Sequence, residues 1–563
     1  MSSRAADQLI STAARHSGRW LWLLAATALA GSVAELFLPM ALGRTLDALT
    51  GTTPGGHGWL PTTVLLVIFV VACDALGVLS SGASGAHAAL WLRRRVVGHV
   101  LAVGAAMTRR FTTGDLVTRA GVNVEEAARA PEAVVTAASL VIPSAGSVVA
   151  LALIDPWLAA TLVTGLLAIV GVVRAFMRKT TAAAAGYQQA QGEIAARLVG
   201  ALAGASTITA AGTQDQEAGR VLRPLPRLRA HGLALWRLHA RAGVQAAVVI
   251  PLLETAVLAV GGLRLASGDL TVGELLAGAR YAVLGAGLGS AIGYAGRLAR
   301  ARSAAHRLER LLAERPLSYG SRPPAGGRGR LEFRRVTVRA NGTPLLSDID
   351  LVVPGGCCVA VVGRSGSGKS SLAAVAGRLV DPDWGSVMLD GVPLPEIGRD
   401  HLRRAVGYAF ERPVLLGATV GDAVGFGQRW PDAGRIHAAS QDACADAFIR
   451  RLPRGYATPM AEAPMSGGQA QRVGLARAFA QAERLLILDD AMSSLDTLTE
   501  RQVSRALTGR LADRTRLVVA HRVTTAARAD QVVWLENGRV RAHGTHESLW
   551  EDPDYRAVFQ GAS

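Results

Sequence analysis

Two stretches of this sequence hold residues whose types and spacing suit chemistry on a phosphate. In the first, Gly363, Arg364, Ser365, Gly366, Ser367, Gly368, Lys369 and Ser370 fit the spacing G-x-x-x-x-G-K-S, with Ser371 next. Glycines let successive backbone N–H groups turn inward as an anion nest, a lysine there reaches the β- and γ-phosphates, and the serine hydroxyl ligates Mg2+. A nucleotide site is implied. The second stretch, LLILDD at residues 485–490, is an aliphatic run closed by two carboxylates. Asp489 is the expected second acid of such a site, polarising Mg2+ directly or through a bound water. Asp490 is left as the candidate base that activates the attacking water.

These groups need a frame. The run CCVAVVG at residues 357–363 reads as a buried strand feeding the loop, and a helix should begin near Lys369. The unbroken aliphatic run before Asp489 reads as a central strand covered on both faces, which puts its acidic tip in the crevice at the carboxyl edge of a sheet. LEFRRVTV and LSDIDLVV read as further strands, so residues 331–563 form an α/β P-loop nucleotide-binding domain. The Gly/Pro/Ser/Arg-rich residues 313–330 read as a linker.

Residues 1–312 have another character. Half of the whole chain is hydrophobic, and six apolar stretches, at residues 19–43, 59–85, 133–154, 157–173, 243–263 and 275–295, have length enough for a hydrocarbon layer of roughly 30 Å. The last is weakened by glycines. An α-helical six-span transmembrane domain is expected. The first stretch is too long, and its lead-in too mixed, for a cleaved secretory signal. Basic residues crowd the long connections between spans two and three and between four and five, while the Asp155-Pro156 turn and the ASGDLTVG turn carry none. Those long connections and both termini therefore belong on the cytoplasmic side of the cell membrane. That placement accounts for much of the net charge of +17 without nucleic acid. Cys73, Cys357, Cys358 and Cys444 lack metal-ligand spacing and read as packed thiols. Glu35, Asp74, Glu254 and Arg280 fall in or near spans, where charges line a polar route or pair with one another, and Pro39, Pro143 and Pro251 are expected to kink their helices.

Further motifs make the pattern specific. MSGGQAQRVGLARAF at residues 465–479 precedes the Asp489 strand, SSLD follows it, and LVVAHR places His521 at another strand end. With the phosphate loop, this set resembles the nucleotide-binding domain of ABC transporters. Six spans, TTGDLVTR at residues 112–119 and GTQDQE at residues 212–217 extend the resemblance to half-size ABC exporters of the multidrug-resistance, P-glycoprotein-like kind. The resemblance implies ATP with Mg2+, a lipid bilayer, and a second half-transporter chain. It also implies that Ser466, Gly467, Gly468 and Gln469 cap the ATP held by the partner's phosphate loop, and that segments around Gly114-Asp115 and Gln214 to Glu217 couple the two domains.

The sequence departs from the family at three places. Asp490 stands where efficient family members carry a glutamate base, one methylene longer. Glu411 replaces the usual glutamine that helps to hold Mg2+ and the attacking water, adding an anion beside the phosphates. Ala340 replaces an aromatic ring that stacks on adenine. With His521 and the SGGQ segment intact, the chain resembles the degenerate-site subunit of a heterodimer. A working homodimer, an importer of a metal chelate built on an exporter-type fold, and a non-transporting ATP-gated regulator stay open at this point, and the sequence does not name the transported compound.

Overall fold

The computed structural model describes residues 2–50, 58–340, 342–428 and 432–560. The chain divides into two compact units, Met1–Val100 with Thr112–Glu314, and Leu101–Phe111 with Arg315–Ser563.

The first half of the chain is helical throughout. In order come α1 (Ser2–His16), α2 (Arg19–Leu49), α3 (Trp59–Val103), α4 (Ala105–Arg110), α5 (Thr113–Thr118), a π-turn at Arg119–Asn123, α6 (Val124–Ala128), α7 (Ala130–Ile154), α8 (Pro156–Ala203), α9 (Ala205–Ala211), α10 (Gln214–Leu222), α11 (Leu225–Ala266), α12 (Val272–Ala286) and α13 (Leu288–Leu312). Among the described residues four helical stretches are long and apolar enough to cross a bilayer: Arg19–Leu49, Trp59–Val103, Thr113–Ile154 and Ala247–Ala266. The fourth apolar segment of the sequence opens α8 as the shorter run Pro156–Gly171. The sixth is divided between α12 and α13 at Gly287, where the glycine-rich sequence lowers helix propensity. The count of six spans is thus not reached by length and composition of the described residues. Pro39, Pro143 and Pro251 lie inside α2, α7 and α11.

Polar groups pin the helix ends opposite the basic connections. Asp155 caps α8 by accepting from Trp157 N–H at 2.8 Å and also accepts from Arg264 Nε at 2.7 Å, tying α11 to the α7–α8 turn. Thr271 and Glu274 form a capping box at the start of α12. Buried Asp47 at the end of α2 accepts from the Thr271 hydroxyl at 2.7 Å and Gly273 N–H at 2.8 Å. This junction requires glycine, because a Cβ on Gly43 or Gly273 would stand 2.4 or 2.2 Å from the other's carbonyl oxygen.

On the basic side, TTGDLVTR folds as α5. Thr112 caps it by accepting from Asp115 N–H, and Arg119 donates to Asp115 at 3.0 Å and to Arg307 O on α13 at 2.6 Å. Arg307 in turn donates to Asn123 Oδ1 at 3.0 Å. Residues 214–217 open α10, where Glu217 pairs with Arg220 at 2.7 Å.

The second half is α/β. Its strands are β1 (Leu331–Ala340), β2 (Thr343–Val353), β3 (Cys358–Val362), β4 (Trp384–Leu389), β5 (Val392–Pro393), β6 (Val406–Phe410), β7 (Leu485–Asp489), β8 (Thr515–Val519), β9 (Gln531–Glu536) and β10 (Arg539–Gly544). A four-stranded antiparallel sheet has the order β2-β1-β4-β5, and a six-stranded sheet has the order β10-β9-β3-β8-β7-β6. In the larger sheet β9, β3, β8, β7 and β6 run parallel, and β10 closes the edge antiparallel. As expected from its aliphatic run, β7 is an interior strand, paired on both sides though next to the edge strand β6, with Leu485 to Leu488 fully buried. Each such side chain contributes about 1.5–3 kcal/mol by leaving water. Helices α14 (Lys369–Ala376), α15 (Arg399–Ala405), α16 (Val420–Val424), α17 (Ala433–Asp442), α18 (Asp446–Ile449), α19 (Gly467–Gln481) and α20 (Thr497–Thr508) complete the parts that concern the site. Parallel strands share one carboxyl edge, so the residues that follow β3, β6, β7 and β8 are gathered there by topology alone.

Candidate functional site

Four strand ends build the site. After β3 the chain turns through residues 363–368 and enters α14 at Lys369, the boundary expected from sequence. Gly366 and Gly368 have φ of +81° and +101°, backbone that an L side chain rarely adopts. A Cβ on Gly363 would lie 2.3 Å from Leu535 O and 2.5 Å from Ser367 Oγ, while one on Gly366 meets nothing within 4 Å. The loop is therefore tight against its own domain and open where a phosphate would approach. Lys369 is buried and folds its ammonium back on the loop, donating to Gly363 O at 2.7 Å and Arg364 O at 3.0 Å. Burial pulls its pKa down from the ordinary lysine value, against the attraction of Asp490 and Asp489. Ser367 Oγ is buried with no partner, an orphan that fits a loop shaped for an oxyanion. Ser371 follows in the first turn of α14.

After β7, Asp489 accepts from the Ser370 hydroxyl at 2.8 Å, so the two groups assigned to Mg2+ already stand together. Among the described residues no cluster of three or more His, Cys, Asp or Glu could hold a metal ion by itself. One hydroxyl and one carboxylate suit Mg2+, which fills its remaining positions with water and substrate phosphate. When bound there, the ion would neutralise charge on the phosphates, with Ser370 and Asp489 on its protein side.

Asp490 has φ of +52°, a left-handed conformation that Asp tolerates. Its Oδ2 is 4.0 Å from His521 Nε2, beyond hydrogen-bond reach. Burial pushes the Asp490 carboxyl above the usual carboxylate range; Glu411 and Asp489 push the same way, and His521 and Lys369 oppose them. Glu411, just past β6, keeps its carboxylate more than half exposed, 3.6 Å from Arg412. The turn that carries His521 after β8 is anchored by Arg522, which pairs with buried Glu500 of α20, and by Thr525, which donates to the same carboxylate at 3.0 Å. The sequence-expected residues of this chain's own site are therefore gathered at one edge. Ala340 ends β1 paired with Thr343, with no ring of its own to stack on a base.

Ser466 to Gln469 form the start of α19. Ser466 Oγ accepts from Gln469 N–H at 3.3 Å and Gln469 Oε1 accepts from Ser466 N–H at 2.9 Å, a full capping box. The pair fixes the helix start by itself. Ser466 and Gly467 are exposed, and a Cβ on Gly467 would meet nothing within 4 Å, so the positive end of α19 faces open space.

Two residues escaped the sequence reading. Tyr408 on β6 donates its hydroxyl to Asp489 Oδ2 at 3.0 Å, so both oxygens of this carboxylate are held. Gln471, buried on α19, donates to Glu411 O at 3.0 Å and Asp490 O at 3.4 Å and accepts from Ser494 N–H at 3.0 Å. One amide thus joins α19 to the loops that carry Glu411 and Asp490. Gln471 sits inside the quoted motif SGGQAQR and Tyr408 three residues before Glu411, but their partners lie 81, 60 and 19 residues away, and that distance left no local signal.

Comparison with known proteins agrees with this geometry. The family model described as "ABC transporter" matches residues 346–493, and "ABC transporter transmembrane region" matches residues 21–284. The ABC transporter ATP-binding protein RamA of Streptomyces coelicolor is 48% identical over 547 residues, covering 97% of this chain and 86% of its own length. The chain belongs to the ABC transporter family. This transporter is also 29% identical over 561 residues to the mitochondrial ATP-binding cassette sub-family B member 10 of Mus musculus, covering 94% of this chain and 77% of that one. A solved bacterial Atm1-family ABC exporter with ATP bound has the same fold, with a TM-score of 0.78 at 24% identity and coverage of 97% and 98%. The transporter is accordingly a multi-pass membrane protein whose ATPase domain couples ATP hydrolysis to transport. Half-size members of this family act as dimers in a lipid bilayer.

Proposed function

We propose that this transporter is one half of a heterodimeric exporter in the cytoplasmic membrane, with six spans, both termini inside, and boundaries near residues 312 and 331. ATP with Mg2+ lies between the phosphate loop of one chain and the SGGQ segment of the other. Lys369, Ser370 and Asp489 hold it at this chain's own site, Asp490 serves there as a slow base with His521 and Glu411 beside it, and Ser466 to Gln469 complete the partner's competent site. Closure reaches the membrane helices through the segments at residues 112–119 and 212–217, and hydrolysis resets the dimer. The carried cargo is a small molecule, peptide or lipid.

The observation that carries the asymmetry is the contrast within this one chain. The Asp490 carboxylate stops 4.0 Å short of His521, whereas the start of α19 is fully formed and open. The departures weaken only what the chain needs for itself. The test is a complex purified from its own membranes through a tag on this chain. One partner of different sequence at equal stoichiometry is expected, with ATPase activity that survives Asp490→Asn and falls to the slow residual rate of this chain's own site with Ser466→Ala. Full turnover by a homodimer of this chain, lost with Asp490→Asn, would overturn the heterodimer and leave the transporter.

A further inference from the structure

We propose that the membrane unit contains a binding site for an amphipathic anion, a carboxylate or phosphate group on an apolar body, between the basic ends of α3, α7 and α13. The assignment of that ligand as cargo rests on the transport reading above.

A cavity of about 840 Å3 lies there, lined by Ser81 to Arg93 on α3, by residues 125–133 around the start of α7, and by Arg297 to Ala301 on α13. Its size suits a ligand of drug-like dimensions. Its level is set by the sequence. The apolar run of α3 gives way at this level to WLRRR, whose Arg93 lines the cavity, and α13 continues as RLARAR, so the cavity lies at the side where basic residues concentrate, the cytoplasmic one.

Its charges are unevenly satisfied. Arg93 pairs with Glu125 at 3.2 Å, and Glu126 with Arg307 at 3.6 Å. Arg129, Arg297 and Arg300 also face the cavity, and among the described residues none of the three has an ion-pair partner. Arg297 lies over the Tyr294 ring at 4.8 Å, a contact that leaves its N–H groups free. Against these three cations stands one unpaired carboxylate, Glu132. All three arginines are solvent-exposed, so water screens their mutual repulsion; gathered around one cavity they still raise its positive potential, and their fork of donors matches carboxylate and phosphate oxygens. The opposite wall supplies the apolar surface. Gly82, Gly85, Ala86 and Ala89 form a floor of small residues, and a Cβ on Gly82 or Gly85 would meet no atom within 4 Å. That floor is room for an apolar body. An anionic lipid of the inner leaflet and a soluble amphiphilic acid share this chemistry.

The test uses the purified complex in phosphatidylcholine nanodiscs, titrated with carboxyfluorescein and, separately, with the cationic dye rhodamine 123, followed by anisotropy. Saturable binding of the anion alone is expected. Arg129→Gln or Arg297→Gln should weaken it roughly tenfold or more, the worth of one charge-assisted contact. Glu132→Gln should tighten it, and Gly85→Leu, whose side chain grows into the open floor, should block it. Replacing part of the phosphatidylcholine with phosphatidylglycerol separates the sources: competitive displacement of the dye assigns the site to lipid headgroups, and undisturbed binding assigns it to soluble anions. Absence of saturable binding, including through occlusion by a partner helix, or binding indifferent to the arginines, would overturn the site. ATP affinity and basal ATPase activity, measured on the same variants, should not change. Their failure in the parent complex would count against the transport reading and leave the anion site standing.

Discussion

Lengthening one side chain should speed the reaction at the site this chain builds for itself. Asp490 Oδ2 lies 4.0 Å from His521 Nε2, about 1 Å beyond hydrogen-bond length. Asp490→Glu adds a carbon–carbon bond of roughly 1.5 Å, enough to span that gap. A misplacement of about 1 Å can cost ~10²-fold, and the whole contribution of a general base is about 10²–10⁴-fold, so a gain of roughly 10- to 100-fold in hydrolysis at this site is expected. The change has a conformational cost. Residue 490 sits at φ +52°, where glutamate is less at home than aspartate, and the change adds a fraction of the roughly 1–2 kcal/mol that a left-handed residue costs. A fall in Tm of a few degrees should accompany the faster turnover, since about 1 kcal/mol shifts a domain of this size by ~2–4 °C. To isolate the site, both forms are compared in a Ser466→Ala background, which on the proposed arrangement silences the partner's site, with phosphate release followed over a single turnover. A glutamate variant that folds, binds ATP and still hydrolyses no faster than the parent would refute the argument that reach limits this site.

Other outcomes follow from the same contacts. Gln471→Ala leaves the Glu411 carbonyl and the Ser494 N–H without their side-chain partner, while Asp490 O keeps the Ser493 hydroxyl and N–H, and should cost about 1–3 kcal/mol per unpaired group, seen as a lower Tm together with loss of ATPase activity. Tyr408→Phe frees one oxygen of Asp489 and should raise several-fold the Mg2+ concentration for half-maximal hydrolysis, leaving Mg2+-free nucleotide binding unchanged. As the proposed base, Asp490 would act only when ionised, and burial holds its pKa up, so own-site turnover should be full above that raised pKa and lost, on acidification, at a higher pH than for an ordinary carboxylate. A pH–rate profile in the Ser466→Ala background checks this, and Asp490→Asn should abolish that limb. Gly273→Ala would push a methyl to 2.2 Å from Gly43 O and 2.4 Å from Asp47, an overpacking expected to cost about 1–3 kcal/mol, read as lower thermostability in detergent.

What the sequence determined by itself is what neighbouring residues determine. The phosphate loop, the start of α14 at Lys369, the buried β7 and the capping box at Ser466 each arise from a few contiguous side chains and their backbone, so type and spacing suffice. Apolar length likewise marked α2, α3 and α7 as bilayer helices, whereas the glycine-rich residues 275–295 are divided between α12 and α13. Everything that joins distant segments was decided by tertiary structure. Parallel pairing of β6, β7 and β8 gathers Glu411, Asp490 and His521; Tyr408 meets Asp489 across strands, and Gln471 ties two loops to α19. Arg129 in the α6–α7 turn and Arg297 and Arg300 on α13 line one cavity although the two segments lie far apart in the sequence. A one-dimensional pattern records hydrophobic period and turn chemistry, whereas the partner of a buried amide or the emptiness beside a glycine depends on how separate elements pack.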